Sequence, residues 1–294
     1  SRRQRQMCIR DRACEDAGVE ALGYLPKCAD VEIPSRHLGL SLDEDFCFEE
    51  FADRVAELVE KHVNIDRLLE LTKPVATAVV PISAGRHIYK REPSFPIAVA
   101  CDPAFNFVYE ANIRYLHHLG EVTYFSPLAD TSLPDAGFVY LPGGYPELYL
   151  AALSANRQML QSIRRYVESG GKLLAECGGM MYLCDEIRDK NGDVYPMAGV
   201  LHQSATMENM KLRLGYRTLL YNETRLKGHE FHYSRLVEQQ NPLPSCAVAY
   251  TAKGVETDTP LYHYKNVWAG YTHLYWADPV GNEWFTKFVI DGNT

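Results

Sequence analysis

Long apolar runs are missing from this 294-residue sequence. None approaches the roughly 18 consecutive residues that a membrane-spanning helix needs, and no signal peptide with an apolar centre opens the chain. A cytoplasmic protein is the expectation. Basic charge is also scarce: 30 Lys and Arg stand against 38 Asp and Glu, for a formal net charge of -8. That balance argues against nucleic acid or an anionic membrane as the main partner. The eight cysteines, at 8, 14, 28, 47, 101, 177, 184 and 246, include no Cys-x-x-Cys pair and no neighbouring His at ligand spacing. Neither a zinc site nor a disulfide framework is indicated, and no residue is assigned to a metal. Nor is there a Gly-x-x-x-x-Gly-Lys-Ser/Thr phosphate loop, an internal repeat or a low-complexity tract.

With 46% hydrophobic residues, the chain can build one large α/β domain, or one domain plus part of another. Four Arg fall within the first ten residues, where no apolar period is visible. Residues 1–12 are expected to be a non-native or disordered tail. The run from Val19 to Pro26 reads as a short buried strand stopped by proline, as though an earlier domain ends here and the chain begins mid-protein. Between Leu42 and Leu71, the residues Phe48, Phe51, Val55, Leu58, Val59, His62 and Val63 recur at spacings of three and four, predicting one amphipathic helix followed by a shorter one. Residues 13–71 would be the remnant of one α/β domain. Pro74, Pro81, Pro93 and Pro96 then mark residues 72–96 as a linker.

From residue 97 to 294 the pattern is that of a second domain. Ile97–Cys101 reads as strand, Phe107–Leu119 as helix, Glu121–Phe125 and Phe138–Leu141 as strands, Ala155–Glu168 as helix and Lys172–Glu176 as strand. This order predicts an α/β fold with a mostly parallel open sheet and helices on both faces. In such sheets ligands bind beyond the carboxyl ends of the strands.

Two strand ends carry unusual residues. In Leu141-Pro142-Gly143-Gly144-Tyr145-Pro146-Glu147, adjacent glycines free the backbone to aim N–H groups at a ligand. In Lys172-Leu-Leu-Ala-Glu176-Cys177-Gly178-Gly179-Met180-Met181-Tyr182-Leu183, a strand meets a cysteine, two glycines and an apolar stretch suited to a buried helix. That parallels the nucleophile elbow, whose sharp turn exposes a reactive atom. A helix start would also lower the thiol pKa. Ten histidines compete for the role of base. His62, His117 and His118 fall in helical segments. His229 and His232 lie in Gly-His-Glu-Phe-His-Tyr-Ser, where Glu230 and His232 are candidates for a substrate pocket or a domain interface. His273 follows a strand-like segment late in the chain, and spacing alone does not select it.

Taken together, these residues resemble class I glutamine amidotransferase domains, of flavodoxin-like type, and more narrowly those of the cobyrinic acid a,c-diamide synthase family. The resemblance covers about residues 19–294. It rests on the two strand ends above, on Leu214-Gly-Tyr-Arg217, on Gly228-His-Glu-Phe-His-Tyr-Ser234 and on Gly270-Tyr-Thr-His273, while Arg36-His-Leu-Gly-Leu40 resembles the segment closing that family's ATP-dependent domain. It implies that Cys177 attacks the side-chain amide of L-glutamine, with His273 as base and then acid. The N–H groups of Gly144 and Gly178 would stabilise the oxyanion. ATP and Mg2+ would activate the a- and c-carboxylates of cobyrinic acid in the family's N-terminal half, and homodimer formation is left open.

Two departures stand out. Class I glutaminases generally carry a Glu two residues after the His, and here that position is Tyr275. The triad is reduced to a Cys-His dyad, which predicts slow hydrolysis until the acceptor half is engaged. The phosphate loop on which the family's synthetase half depends is absent, so this chain is expected to supply ammonia only. Competing readings are a nickel-sirohydrochlorin a,c-diamide synthase and a non-catalytic docking or regulatory domain. A cobyric acid synthase ranks lower because a different turn is expected at 142–147.

Overall fold

The computed structural model describes residues 12–31, 35–36, 39–40, 47–72, 95–240 and 242–291. The chain divides into two compact units, residues 1–85 and 86–294. Most of the 1–12 tail and of the 72–96 linker lies outside the described residues, as do His37 and Leu38.

In the first unit, strands β1 (Ser35–Arg36) and β2 (Gly39–Leu40) pair antiparallel. Helices α1 (Phe48–His62) and α2 (Ile65–Leu71) match the expected long and short pair. Asn64 separates them: its side chain caps α2 by accepting from the Arg67 N–H at 3.0 Å. The buried strand expected over 19–26 is not found. Its backbone pairs only at Gly23, with Val63 beyond the end of α1, and Val19, Tyr24 and Leu25 are exposed. Among the described residues this extended segment finds no sheet edge to join, and such a segment buries neither its backbone nor its side chains.

The second unit is organised by a six-stranded sheet in the order β15-β16-β6-β5-β3-β4. Its strands are β3 (Pro96–Ala100), β4 (Glu121–Phe125), β5 (Phe138–Leu141), β6 (Lys172–Glu176), β15 (Leu261–Tyr264) and β16 (Val267–Gly270). All neighbours pair parallel except β15 with β16. The near-continuous burial of β5, β6 and β16 is what a parallel sheet covered on both faces requires. Helix α3 (Glu110–Leu119) starts three residues later than expected; α4 (Leu150–Ala155) was not foreseen, and the second expected helix is α5 (Arg157–Glu168), which starts two residues later than expected. The break falls at Asn156, whose side chain caps α5 through the Met159 N–H. Met159, Leu160, Ile163 and Val167 give α5 a stripe that is buried at helical spacing. The short α6 (Gly178–Leu183) is buried throughout, and α7 (Pro279–Thr286) begins at an Asp278 cap.

Two further sheets were not foreseen. One has the order β14-β13-β10-β11-β17, with β13 (Val248–Thr251) and β14 (Glu256–Thr257); the other has the order β12-β9-β7-β8, with β7 (Glu186–Arg188), β8 (Val194–Pro196), β9 (Ser204–Thr206) and β12 (Arg235–Leu236). In the first, β10 (Arg213–Tyr221) and β11 (Thr224–His232) form a long hairpin, and β11 passes the short strand β17 (His273–Leu274) antiparallel. The core runs from Ile97, Phe138 and Leu174 to Trp268, Trp276, Trp284 and Phe285. Trp276 stacks on Phe285 at 4.0 Å between ring centroids. Buried Asn112 of α3 donates to Leu274 O at 2.8 Å and accepts from the Trp276 N–H at 2.9 Å. That pair of bonds fixes the backbone on either side of Tyr275, immediately after His273.

Candidate active site

Three parallel strands end side by side at this place. Leu141 of β5 pairs with Ala175 of β6, and Gly270 of β16 pairs with Glu176. The 142–147 turn, the cysteine turn and residues 271–273 therefore leave the sheet at one edge, as expected for a ligand site beyond the carboxyl ends. The Cys177 N–H donates to Gly270 O at 2.7 Å, tying the elbow to the strand that leads to His273.

Cys177 has φ 48° and ψ -106°, a left-handed backbone conformation that a non-glycine residue adopts at a cost of about 1–3 kcal/mol. This strained strand-to-helix corner is the geometry of a nucleophile elbow. The thiol is 6% exposed and lies 4.0 Å from Phe231 O. The expectation of a lowered thiol pKa is reversed. Burial pushes it up first, the charge of Glu147 adds to this, the Gly178 N–H opposes it, and Glu176 and Glu230 raise it further. A six-residue helix start does not outweigh desolvation and three carboxylates.

His273 is 3% exposed, with the ring of Phe107 at 4.4 Å. Burial, followed by the charges of His229 and His232, lowers its pKa to about 3 against the opposing pull of Glu230. Thiol and imidazole therefore rest uncharged at neutral pH. Gly143 is packed against this ring: a Cβ there would overlap His273 Cε1 and stand 2.9 Å from Nδ1.

Gly144 has φ 157°, and a Cβ on it would overlap Ala104 O. Among the described residues no backbone hydrogen bond engages its N–H. A Cβ on Gly178 would sit 3.2 Å from Gly144 N, so the two glycines of the expected oxyanion hole are neighbours across the turn. Glu147, on the same turn, is raised to about 7, chiefly by burial.

Two residues not singled out by the sequence join the site. Glu176 accepts from Tyr140 OH at 2.7 Å and from the Leu274 N–H at 3.0 Å, and its Oε2 lies 3.9 Å from His273 Nδ1. Burial raises it to about 8 in spite of those two bonds. Arg217 pairs through Nε with Glu230 Oε2 at 2.5 Å. A charged residue placed at a buried strand end was the available signal for the first, and the Leu-Gly-Tyr-Arg motif for the second.

Glu230 and His232 form a closed cluster. The alternation of β11 turns Leu226, Gly228, Glu230 and His232 to its buried face. His232 Nε2 is 2.7 Å from Glu230 Oε1, and Nδ1 is 2.8 Å from Ser234 O. The imidazole stacks on Tyr271 at 3.7 Å, and Thr259 donates to Glu230 Oε2 at 2.8 Å. Burial alone would raise Glu230, but the hydrogen bonds from His232 and Thr259 and the charges of His232 and Arg217 hold it below the usual carboxylate range. The expected interface role meets residues that are buried and already partnered. Tyr275 is 41% exposed and its ring packs edge-on against Tyr109.

Among the described residues no group of three or more His, Cys, Asp or Glu could hold a metal ion, and no helix is long and apolar enough to cross a membrane.

Comparison with known proteins bears on this geometry. A hydrogenobyrinate a,c-diamide synthase of Pseudomonas aeruginosa is 37% identical over 271 residues, covering 90% of this chain and 59% of that protein. A cobyrinate a,c-diamide synthase of Clostridium acetobutylicum is 35% identical over 283 residues, covering 92% of this chain and 61% of that protein. The chain thus spans about six-tenths of the length of these curated relatives. A solved glutamine amidotransferase superposes with a TM-score of 0.44 at 17% identity, over 66% of this chain and 98% of its own. The family profile for the CobB/CobQ-like glutamine amidotransferase domain matches residues 96–280, the stretch that contains the elbow, the glycine turn and His273, and the chain belongs to that family.

Proposed function

We propose that this chain is the glutamine-hydrolysing part of a cobyrinate-type a,c-diamide synthase in corrinoid synthesis. The observation that carries the reading is the left-handed Cys177 at the end of β6, with His273 delivered to the same sheet edge by β16. In the first step Cys177 Sγ attacks the glutamine side-chain carbonyl carbon while its proton passes to His273. The C–N bond then breaks, the proton goes to the leaving nitrogen, and ammonia departs from a thioester. In the second step His273 takes a proton from water, the hydroxide attacks the thioester, and glutamate leaves as the proton returns to Cys177. Both tetrahedral stages place an oxyanion near the Gly144 and Gly178 N–H groups. Removing one such donor typically costs about 3 kcal/mol.

The acceptor follows from the names of the relatives: a corrin carboxylate, amidated by the released ammonia. ATP and Mg2+ belong to that activation chemistry. The residues of this chain do not fit them, since it has no phosphate loop, and no step through ATP is assigned to it. The test is covalent labelling with 6-diazo-5-oxo-norleucine, a glutamine analogue that alkylates the attacking thiol. The expected result is one adduct at Cys177, lost in Cys177→Ala. A chain that stays unlabelled even with the acceptor half supplied is a docking domain, and the glutaminase reading fails.

A further inference from the structure

We propose that Glu176, the residue directly before the nucleophile, is the positioning carboxylate for His273, filling the role that Tyr275 leaves open two residues after the histidine. The inference deepens the glutaminase reading and rests on it. Glu176 is 1% exposed, and donors from two other elements orient both of its oxygens. Tyr140 OH of β5 donates to Oε2 at 2.7 Å, and the Leu274 N–H donates to Oε1 at 3.0 Å. Leu274 follows His273 directly, so the second bond anchors the histidine's own strand to the carboxylate. Oε2 stands 3.9 Å from His273 Nδ1, a buried ring nitrogen that has no hydrogen-bond partner. A buried polar atom left without a partner asks for an explanation. Here a carboxylate waits just outside hydrogen-bond reach, and a small rotation of the ring brings the two together. Tyr275, by contrast, offers no charge and packs on Tyr109.

The chemistry follows from which nitrogen faces which group. With Nδ1 turned to Glu176, Nε2 is the ring nitrogen left to take the thiol proton. As the Sγ–carbon bond forms, the imidazole becomes imidazolium, and ionised Glu176 stabilises it through Nδ1–H until Nε2 passes its proton to the leaving nitrogen. Burial holds Glu176 up to about 8 and His273 down to about 3, so the pair rests uncharged at neutral pH. The glutaminase rate should climb as pH rises through about 8, where Glu176 ionises.

The test is Glu176→Gln in the full chain. The expected result is a fall in kcat for glutamine of about 100-fold, with KM within about threefold, loss of the rise near pH 8, and partial recovery in Glu176→Asp. Cys177 should still react with iodoacetamide above pH 8, since there the variant removes a charge that suppresses its ionisation. Nitrogen-15 NMR of the histidines at pH 9 supplies a readout independent of turnover: the Nδ1–H tautomer of His273 in the wild type, and loss of that preference in the variant. A kcat within about threefold of wild type, or an unchanged tautomer, overturns the proposal. If Glu176→Gln does not fold, Tyr140→Phe replaces it. Losing the donor to Oε2 should push the rise near pH 8 to higher pH, and an unmoved profile overturns the proposal equally. Wild type that shows the tautomer yet escapes the glutamine analogue would sink the glutaminase reading and leave the positioning of His273 standing.

Discussion

Two acid–histidine contacts in this domain are built in opposite ways. Glu230 and His232 touch at 2.7 Å, and Arg217, Thr259 and the Ser234 carbonyl complete the cluster. Glu176 and His273 stand 3.9 Å apart, and the histidine nitrogen between them has no partner. In the first pair the carboxylate is held below its usual range. In the second the acid is held near 8 and the base near 3. The satisfied pair has little to gain from any change in charge, so it behaves as structure. The unsatisfied pair gains its full interaction only when a proton arrives on the imidazole, which in the proposed mechanism is the moment of thiol attack. Electrostatic stabilisation that appears only with the transition state lowers the barrier and not merely the energy of the bound substrate.

The comparison breaks most visibly at its satisfied side. Glu230→Gln leaves the charge of Arg217 buried without its counterion, and the expected loss is about 3–5 kcal/mol in chemical denaturation. A variant as stable as wild type would show that the cluster is not structural. The next largest effect tests the open side. Gly143→Ala forces a methyl group into His273 Cε1, and turnover should fall about 100-fold while the melting temperature drops by only a few degrees. An unchanged kcat would mean that the ring is free to move aside.

A third prediction separates the two carboxylates by pH. The folded pKa of Glu176 is raised above its unfolded value of 4.5, so its contribution to stability is fully present below pH 4.5 and is lost as pH rises through about 8. Glu176→Gln should therefore remove part of the wild-type decline between those values, by about 1–3 kcal/mol. The same denaturation series run in parallel on both proteins checks it, and curves that stay parallel contradict it. The smallest expected effect is at Tyr275. Tyr275→Glu restores a carboxylate at the usual sequence position, but the site is 41% exposed, and the glutaminase rate should change by less than about threefold. A large gain would show that the usual triad position remains competent here.

Much of the second unit was legible because the signals were local. Apolar runs between Ile97 and Glu176 reproduce the strands within a residue, and the strand-cysteine-glycine order placed the elbow. The helix expected over 155–168 starts two residues late, and the short helix before it escaped, because the cap at Asn156 is a single polar residue within a helical pattern. The antiparallel sheets escaped because their pairings join distant segments: β10 lies between β11 and β13, and β17 contributes two residues. The apolar run at 19–26 misled because hydrophobic composition suits a strand only where a sheet edge exists to receive it. The thiol pKa misled for a related reason, since the helix start is local while the burial around the sulfur and the charges of Glu147 and Glu230 come from distant parts of the chain.

By itself the sequence determined the parallel sheet, the strained corner at Cys177 and the glycine turn beside it, since each depends on residues within one turn or one strand. It also fixed what is missing: the phosphate loop and the carboxylate at position 275. Only the tertiary structure brought His273 to the end of the sheet where Cys177 lies and showed which carboxylate faces that ring. Parallel pairing of Gly270 with Glu176, and the Asn112 bonds that hold the chain after His273, bring together groups far apart in sequence. Their charges, in turn, are set by burial, a property of the packed fold that no stretch of residues carries alone.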